Sequence, residues 1–241
     1  MINLIKKFID VIYPSTCICC RKIISQDGLF CLDCFLELTF ISQIKCQICS
    51  MPIHYEIRFN DHQICLTCLQ KKPAFDFGNA IFIYNETIGK AIIDFKYNDQ
   101  IFLAKKFSKL FKNQLSDVIK NVDFIACVPL HPKKLIQRKY NQANLIARNI
   151  CPKKYFPQLL LRIKNDNSQV DLSRNQRIKN LKNTFIVNPK YANKIVGKKI
   201  LLIDDVMTTL TTLNYCAKAL KKRKASVIYV AVIAKTIIDN S

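Results

Sequence analysis

From about residue 79 the chain alternates short apolar runs with stretches whose apolar residues recur at helical spacing. Residues 80–84 and 124–128 predict strands, the second ended by Pro129, and residues 158–162 predict another short one. Lys199 opens the run Ile200-Leu-Leu-Ile203, continuous in the way of a strand buried on both faces of a parallel sheet. A last strand is predicted over 227–233. Helical spacing predicts helices near 86–97, 101–115 and 141–150, and Leu210, Leu213, Ala217 and Leu220 mark another. Strands alternating with helices predict an α/β fold on a mostly parallel sheet, where ligands sit at the carboxyl ends of strands. At the start of the chain Ile5, Phe8, Ile9 and Ile12 share one helical face and predict a short docking helix. Charges within that stretch and the lack of a small-residue cleavage site argue against a leader. The longest apolar run, residues 225–234, is too short to span a bilayer. The expectation is a soluble, cytoplasmic protein without a membrane span.

The first 68 residues carry a different texture. Nine of the twelve cysteines lie there, eight of them in four C-x2-C pairs: Cys17/Cys20, Cys31/Cys34, Cys46/Cys49 and Cys65/Cys68. Two thiolates three positions apart grip one metal ion from a tight knuckle, and two knuckles complete a tetrahedral site. The natural grouping is Cys17, Cys20, Cys31 and Cys34 for one zinc ion, and Cys46, Cys49, Cys65 and Cys68 for a second. Spacing alone leaves an interleaved arrangement open, and iron–sulfur ligation is the minor alternative. A disulfide scaffold would need an oxidising compartment that nothing in the sequence indicates. Cys19 is a spare thiol, and His54 and His62 are read as bystanders to four sufficient thiolates. So small a region has little core, and the metal is expected to supply its folding energy. The division expected is 1–72 for the helix and double zinc ribbon, and 73–241 for the α/β domain.

Composition changes this picture in one respect. Half of the 241 residues are apolar, enough for a packed core. The formal charge is +21, and between Phe124 and Ile203 there are 17 Lys or Arg against two acids, Asp166 and Asp171. Such a field attracts nucleic acid, phosphorylated metabolites or anionic membrane, although solvated lysines of a basic proteome would look the same. Cys127, Cys151 and Cys216 are isolated and read as small apolar residues.

Candidate chemistry lies at the end of the 199–203 strand: Asp204-Asp205-Val-Met-Thr208-Thr209-Leu210-Thr211-Thr212. Two adjacent acids leaving a buried strand are costly unless they bind something. The hydroxyl-rich turn opens a helix whose free N–H groups and dipole favour an anion. Together they fit a sugar phosphate, the acids taking ribose hydroxyls and the loop a 5′-phosphate. A helix merely capped by threonines is the alternative.

This stretch resembles the phosphoribosyl-diphosphate motif of type I phosphoribosyltransferases, which Asp204, Asp205, Thr208, Thr209 and Thr212 match. Leu210 stands where that family has glycine, and the expectation is a narrowed cradle and impaired catalysis. Other segments are similar to ComF proteins in particular: Val128-Pro-Leu-His-Pro-Lys-Lys134 with Arg138-Lys-Tyr-Asn-Gln-Ala143, Phe95-Lys96-Tyr97, and Gln169-Val-Asp-Leu-Ser173 with Arg177 and Asn180 to Phe185. Lys139 and Tyr140 replace that family's usual glycine and aromatic. The resemblance implies a zinc ribbon joined to a phosphoribosyltransferase-like domain, acting in natural transformation on incoming single-stranded DNA beside other uptake proteins. Pro129 to Lys134 would form the loop facing pyrophosphate, with Mg2+ held largely by the phosphates of phosphoribosyl diphosphate. Lys133, Lys134, Arg138, Lys139, Arg174 and Arg177 would contact pyrophosphate or a DNA backbone. An active phosphoribosyltransferase with an unknown acceptor is the alternative, and an interaction module without ligand chemistry is a third reading.

Overall fold

The computed structural model describes residues 14–24, 28–53, 63–163 and 184–237. The predicted docking helix at the start of the chain, His54, His62, residues 169–173, Arg174, Arg177 and Asn180 lie outside them.

Two short helices, α1 (Leu32–Glu37) and α2 (Leu66–Gln70), belong to the cysteine-rich region. The body follows in the order β1 (Phe77–Ile83), α3 (Glu86–Tyr97), α4 (Leu103–Gln114), α5 (Ser116–Asn121), β2 (Phe124–Cys127), α6 (Pro132–Arg138) and α7 (Gln142–Ile150). Then come β3 (Leu160–Arg162), β4 (Phe185–Val187), β5 (Lys199–Met207), α8 (Thr211–Lys222) and β6 (Val227–Lys235). Strands β1, β6, β5 and β2 form one sheet in that order, every pair parallel. An antiparallel pair, β3 with β4, stands apart.

Alternation along the strands explains the layers. Leu201, Ile203, Ala231 and Ile233 face a core filled by α3, α4 and α7, with Phe95, Phe107, Phe111 and Ile146 fully buried. Ile200, Leu202, Val230 and Val232 face the opposite core, closed by Leu213, Cys216, Ala217 and Leu220 of α8 and by β3 and β4. Both faces of the sheet are covered, which is why β5 and β6 read as unbroken apolar runs.

Both sheet edges are covered too. The Ile83 N–H donates to the Thr39 carbonyl at 2.8 Å and the Ile41 N–H to that of Ile81 at 3.0 Å, so the link between the two cysteine clusters lies antiparallel along β1. At the other edge Ile125 exchanges backbone bonds with Lys154 and Phe156 at 2.7 and 2.9 Å. An uncovered edge is a template for aggregation, and here the metal-binding region supplies one of the covers.

Two expectations are corrected. The apolar strand does not stop before the acids: β5 runs on through Met207 because β6 keeps pairing with it, Asp204 opposite Val232 and Val206 opposite Ala234. Nor do Pro129 to Lys134 form one loop. Pro132 occupies the first turn of α6 and the His131 side chain accepts the Lys133 N–H at 3.1 Å, so the irregular stretch ends at His131.

Lys139 closes α6 with φ +63°, a left-handed conformation that suits the glycine usual there in the resembling family. Its exposed ammonium pairs with Asp99. Relief of the backbone, about 1–2 kcal/mol, should exceed the loss of a surface ion pair. Lys139→Gly is therefore expected to raise the melting temperature by a few degrees and Lys139→Val to lower it; the reverse order in a thermal melt would contradict this account.

Candidate functional site

The cysteines fall into the two groups that spacing favours. Cys17, Cys20, Cys31 and Cys34 bring their sulfurs within 4.8 Å of one another, and so do Cys46, Cys49, Cys65 and Cys68. A tetrahedral zinc ion with bonds near 2.3 Å needs sulfurs about 3.8 Å apart, so both sets fit the ion. The Cys20–Cys31 and Cys49–Cys65 sulfurs are at 3.5 and 3.6 Å. Thiol hydrogen bonds from Cys49, Cys65 and Cys68 hold Cys46 well below the usual thiol range, and the hydrogen bond to Cys46 is the first cause that pushes Cys49 and Cys68 well above it. Four thiolates this close need a cation between them. Cys19 is outside both sets and buried, and burial pushes it up to about 12. Each cluster is built into the body. Arg21 of the first knuckle reaches Asp94 at 3.4 Å and lies 5.0 Å over the Phe102 ring. The second knuckle approaches β1 so closely that a Cβ on Gly78 would meet the Ile48 carbonyl oxygen at 2.3 Å. There the Ser50 hydroxyl donates to the Gly78 carbonyl at 2.9 Å and accepts the Ala80 N–H at 3.0 Å.

The second site lies at the carboxyl end of the sheet. Strand β2 ends at Cys127 opposite Ile203, while β5 continues, still paired to β6, leaving Asp204 and Asp205 on a ledge open on the β2 side. Burial, and next the Asp205 carboxylate, push the Asp204 carboxyl up to about 7, although its Oδ1 accepts the Asp205 N–H at 2.9 Å. Asp205 turns the other way and meets the Lys96 ammonium at 3.0 Å, both largely buried.

Lys96 is the site residue that sequence reasoning passed over, though the Phe95-Lys96-Tyr97 element marked its place. Two of the resembling segments, Phe95–Tyr97 and Val128–Ala143, meet around it. The Arg138 guanidinium lies 5.0 Å over the Tyr97 ring and donates to its hydroxyl at 3.0 Å. The Tyr140 hydroxyl and the Gln142 amide both donate to the Phe95 carbonyl, at 2.7 and 3.2 Å. Asn141 caps α7 and donates to the Val128 carbonyl at 2.9 Å, tying the Pro129 loop to that helix. Lys133 and Lys134 are exposed on α6. Arg138 is held by Tyr97, and Lys139 by Asp99.

Thr208 and Thr209 are exposed in the turn after β5, and α8 starts at Thr211 with no side chain capping it. The threonine-capped alternative is thus not what forms: the first turn of α8 keeps its N–H groups for another acceptor. Leu210 has φ −73°, which needs no glycine, and its half-buried side chain packs on the core that contains Leu213. The Thr236 hydroxyl donates to the Thr208 carbonyl at 3.2 Å, fixing the turn to the end of β6. Lys235, which no local pattern marks, is buried beside the turn with its ammonium 3.9 Å from the Met207 sulfur. Among the described residues no carboxylate pairs with it.

An acidic ledge, an uncapped helix start and a doubly covered parallel sheet define a phosphoribosyltransferase-type domain, here joined to a double zinc ribbon. A phosphoribosyl transferase domain matches residues 155–239 and a double zinc ribbon domain residues 8–69. Competence protein F of Haemophilus influenzae is 30% identical over 216 residues, covering 86% of this chain and 90% of that one. Competence protein ComFC of Bacillus subtilis is 25% identical over 89% of this chain and 92% of its own. DNA utilization protein YhgH of Escherichia coli is 23% identical over 93% and 98%. The chain belongs to the ComF family. No helix among the described residues is long and apolar enough to cross a membrane.

Proposed function

We propose that this protein serves DNA uptake in natural transformation, handling incoming single-stranded DNA, and that its phosphoribosyltransferase-type site binds magnesium–phosphoribosyl diphosphate. The observation that carries the ligand reading is the ledge: a carboxyl raised to about 7 beside a second carboxylate, next to a helix start with no cap. Asp204 and Asp205 would accept ribose hydroxyls, and the backbone N–H groups of 208–212 would take the 5′-phosphate with Lys235 beside them. Pro129 and the exposed Lys133 and Lys134, with Arg138, would face the pyrophosphate, and Mg2+ would sit mainly on the phosphate oxygens. The names of the relatives support the uptake role.

The position of Leu210 favours a second reading, a working transferase with an unidentified acceptor, since its side chain is occupied by the core rather than by the cradle. Leu210→Gly distinguishes the two. If the cradle is open, this change leaves affinity for phosphoribosyl diphosphate unaltered and costs about 1–2 kcal/mol of stability through lost burial. If the cradle is narrowed, it tightens binding. Calorimetric titration of the native protein and this variant with the magnesium complex, and of the native protein with a single strand, tests both ligands at once. Absence of heat with the magnesium complex would remove the ligand reading.

A further inference from the structure

The amino-terminal edge of the sheet, opposite the acidic ledge, has no role in the function proposed above. Lys199 and Asp205 stand about 20 Å apart along β5, so the two ends are separate surfaces. At this edge Phe77 of β1 and Tyr229 of β6 are register partners, with rings stacked at 5.3 Å and 18°. Phe77 remains 43% exposed. Lys199 pairs in register with Val227, two residues before Tyr229, and so projects from the same face as the aromatic pair. On the other side Asn79, the next same-face residue of β1 after Phe77, accepts the Lys45 ammonium at 3.3 Å. Along the rim the Gly197 N–H donates to the Lys224 carbonyl and the Ser226 N–H to that of Lys198, placing the 223–224 turn beside Lys198 and Lys199. The acids at this edge are already neutralised, Asp76 by Lys221 at 2.8 Å and Asp123 by Lys198 at 3.2 Å. Lys199, Arg223 and Lys224 have no carboxylate partner among the described residues, so the edge carries net positive charge around an exposed aromatic platform.

Unpaired cations beside exposed, stacked rings match a ligand with phosphates and free base faces. We propose that Phe77 and Tyr229, with Lys45, Lys199, Arg223 and Lys224 around them, form a binding surface for single-stranded DNA. It rests on the DNA-handling role proposed above and adds where the strand binds. The bases stack on the ring pair, and the backbone runs along the basic rim. Because the phosphoribosyl-diphosphate site lies at the far end of β5, the two ligands bind without competing.

The test is fluorescence anisotropy of a labelled thymidine oligonucleotide of about 20 residues, long enough to cross one such groove, titrated with the full zinc-loaded chain at several salt concentrations. Lys199→Glu with Arg223→Glu is expected to weaken binding at least tenfold, and to lower the salt slope by about 1.4 for two lost phosphate contacts. Phe77→Ala is expected to weaken it about fivefold or more, with Phe77→Leu doing the same while keeping apolar bulk. Saturating magnesium–phosphoribosyl diphosphate should leave DNA affinity unchanged, and duplex should bind more weakly than a single strand. Native-like binding by the charge-reversed protein and by Phe77→Leu overturns this surface while leaving the DNA role standing. Displacement by phosphoribosyl diphosphate, or equal affinity for duplex, overturns it too. If the native chain binds no single strand at low salt, the DNA-handling role falls and the surface with it.

Discussion

Stripping zinc from the two four-cysteine clusters is expected to destabilise the α/β body as well as the ribbon. Structural zinc in small modules contributes on the order of 10 kcal/mol to folding, and the clusters here have no independent core to fall back on. Their apolar neighbours are continuous with the sheet: Ile18 and Leu38 pack with Ile81, Phe82 and Phe95, and Ile48 packs with Phe75 and Ala80. When the ribbon loosens, Thr39 to Ile41 leave β1 and expose a parallel-sheet edge. A chelator should therefore lower the main melting transition and promote aggregation, from a starting content close to two zinc ions per chain. Cys46→Ser should act in the same direction, and Gly78→Ala should do so more mildly by pushing the Ile48 carbonyl away from β1. Cys127→Ser, outside both clusters, should leave metal content unchanged. A chelated protein that melts like the native one would show that the ribbon is an appendage.

The second large effect is a stability gain that accompanies loss of function. Folding raises the Asp204 carboxyl to about 7, whereas an unfolded aspartate titrates at about 3.9. Between those values the folded chain holds a proton that the unfolded chain has lost, so this contribution is full below about pH 4 and disappears as pH rises towards 7. Asp204→Asn keeps the shape and removes the titration. The ligand-free variant should be more stable than the native protein at pH 7.5 by on the order of 2 kcal/mol, or several degrees of melting temperature, with the gap closing towards pH 4.5. Binding of magnesium–phosphoribosyl diphosphate should fall about ten- to a hundredfold, since hydrogen bonds to a charged group contribute about 1.5–3 kcal/mol. Asp205→Asn should weaken the ligand equally but cost stability, because it strips the carboxylate from a largely buried Lys96. Melts at the two pH values, beside calorimetry, separate the pair. If Asp204→Asn is no more stable than the native protein at pH 7.5, the carboxyl is not strained in the ligand-free state.

Several features of the molecule were legible from residue order alone. Pairs of cysteines three apart fold into knuckles by local geometry, so the grouping that spacing favours is the one that forms. The helix over 86–97 and the strands at Ile200 and Val227 follow from periodicity, because both faces of a covered parallel sheet must be apolar wherever it lies. The paired acids stood out because charge at the end of such a strand is costly. What sequence did not decide are matters of where one segment meets another. The reach of β5 past its acids depends on β6 continuing while β2 stops. The pairing of Lys96 with Asp205 joins residues that no local pattern relates, and the side chain of Leu210 takes its direction from the core beneath α8 rather than from its motif position. The Phe77–Tyr229 platform exists only because parallel register sets the first turns of two distant strands side by side. Local propensity and spacing act over a few residues and can be read from them; register, strand length and side-chain partners are set by contacts between segments far apart in the chain, and only the folded molecule specifies those.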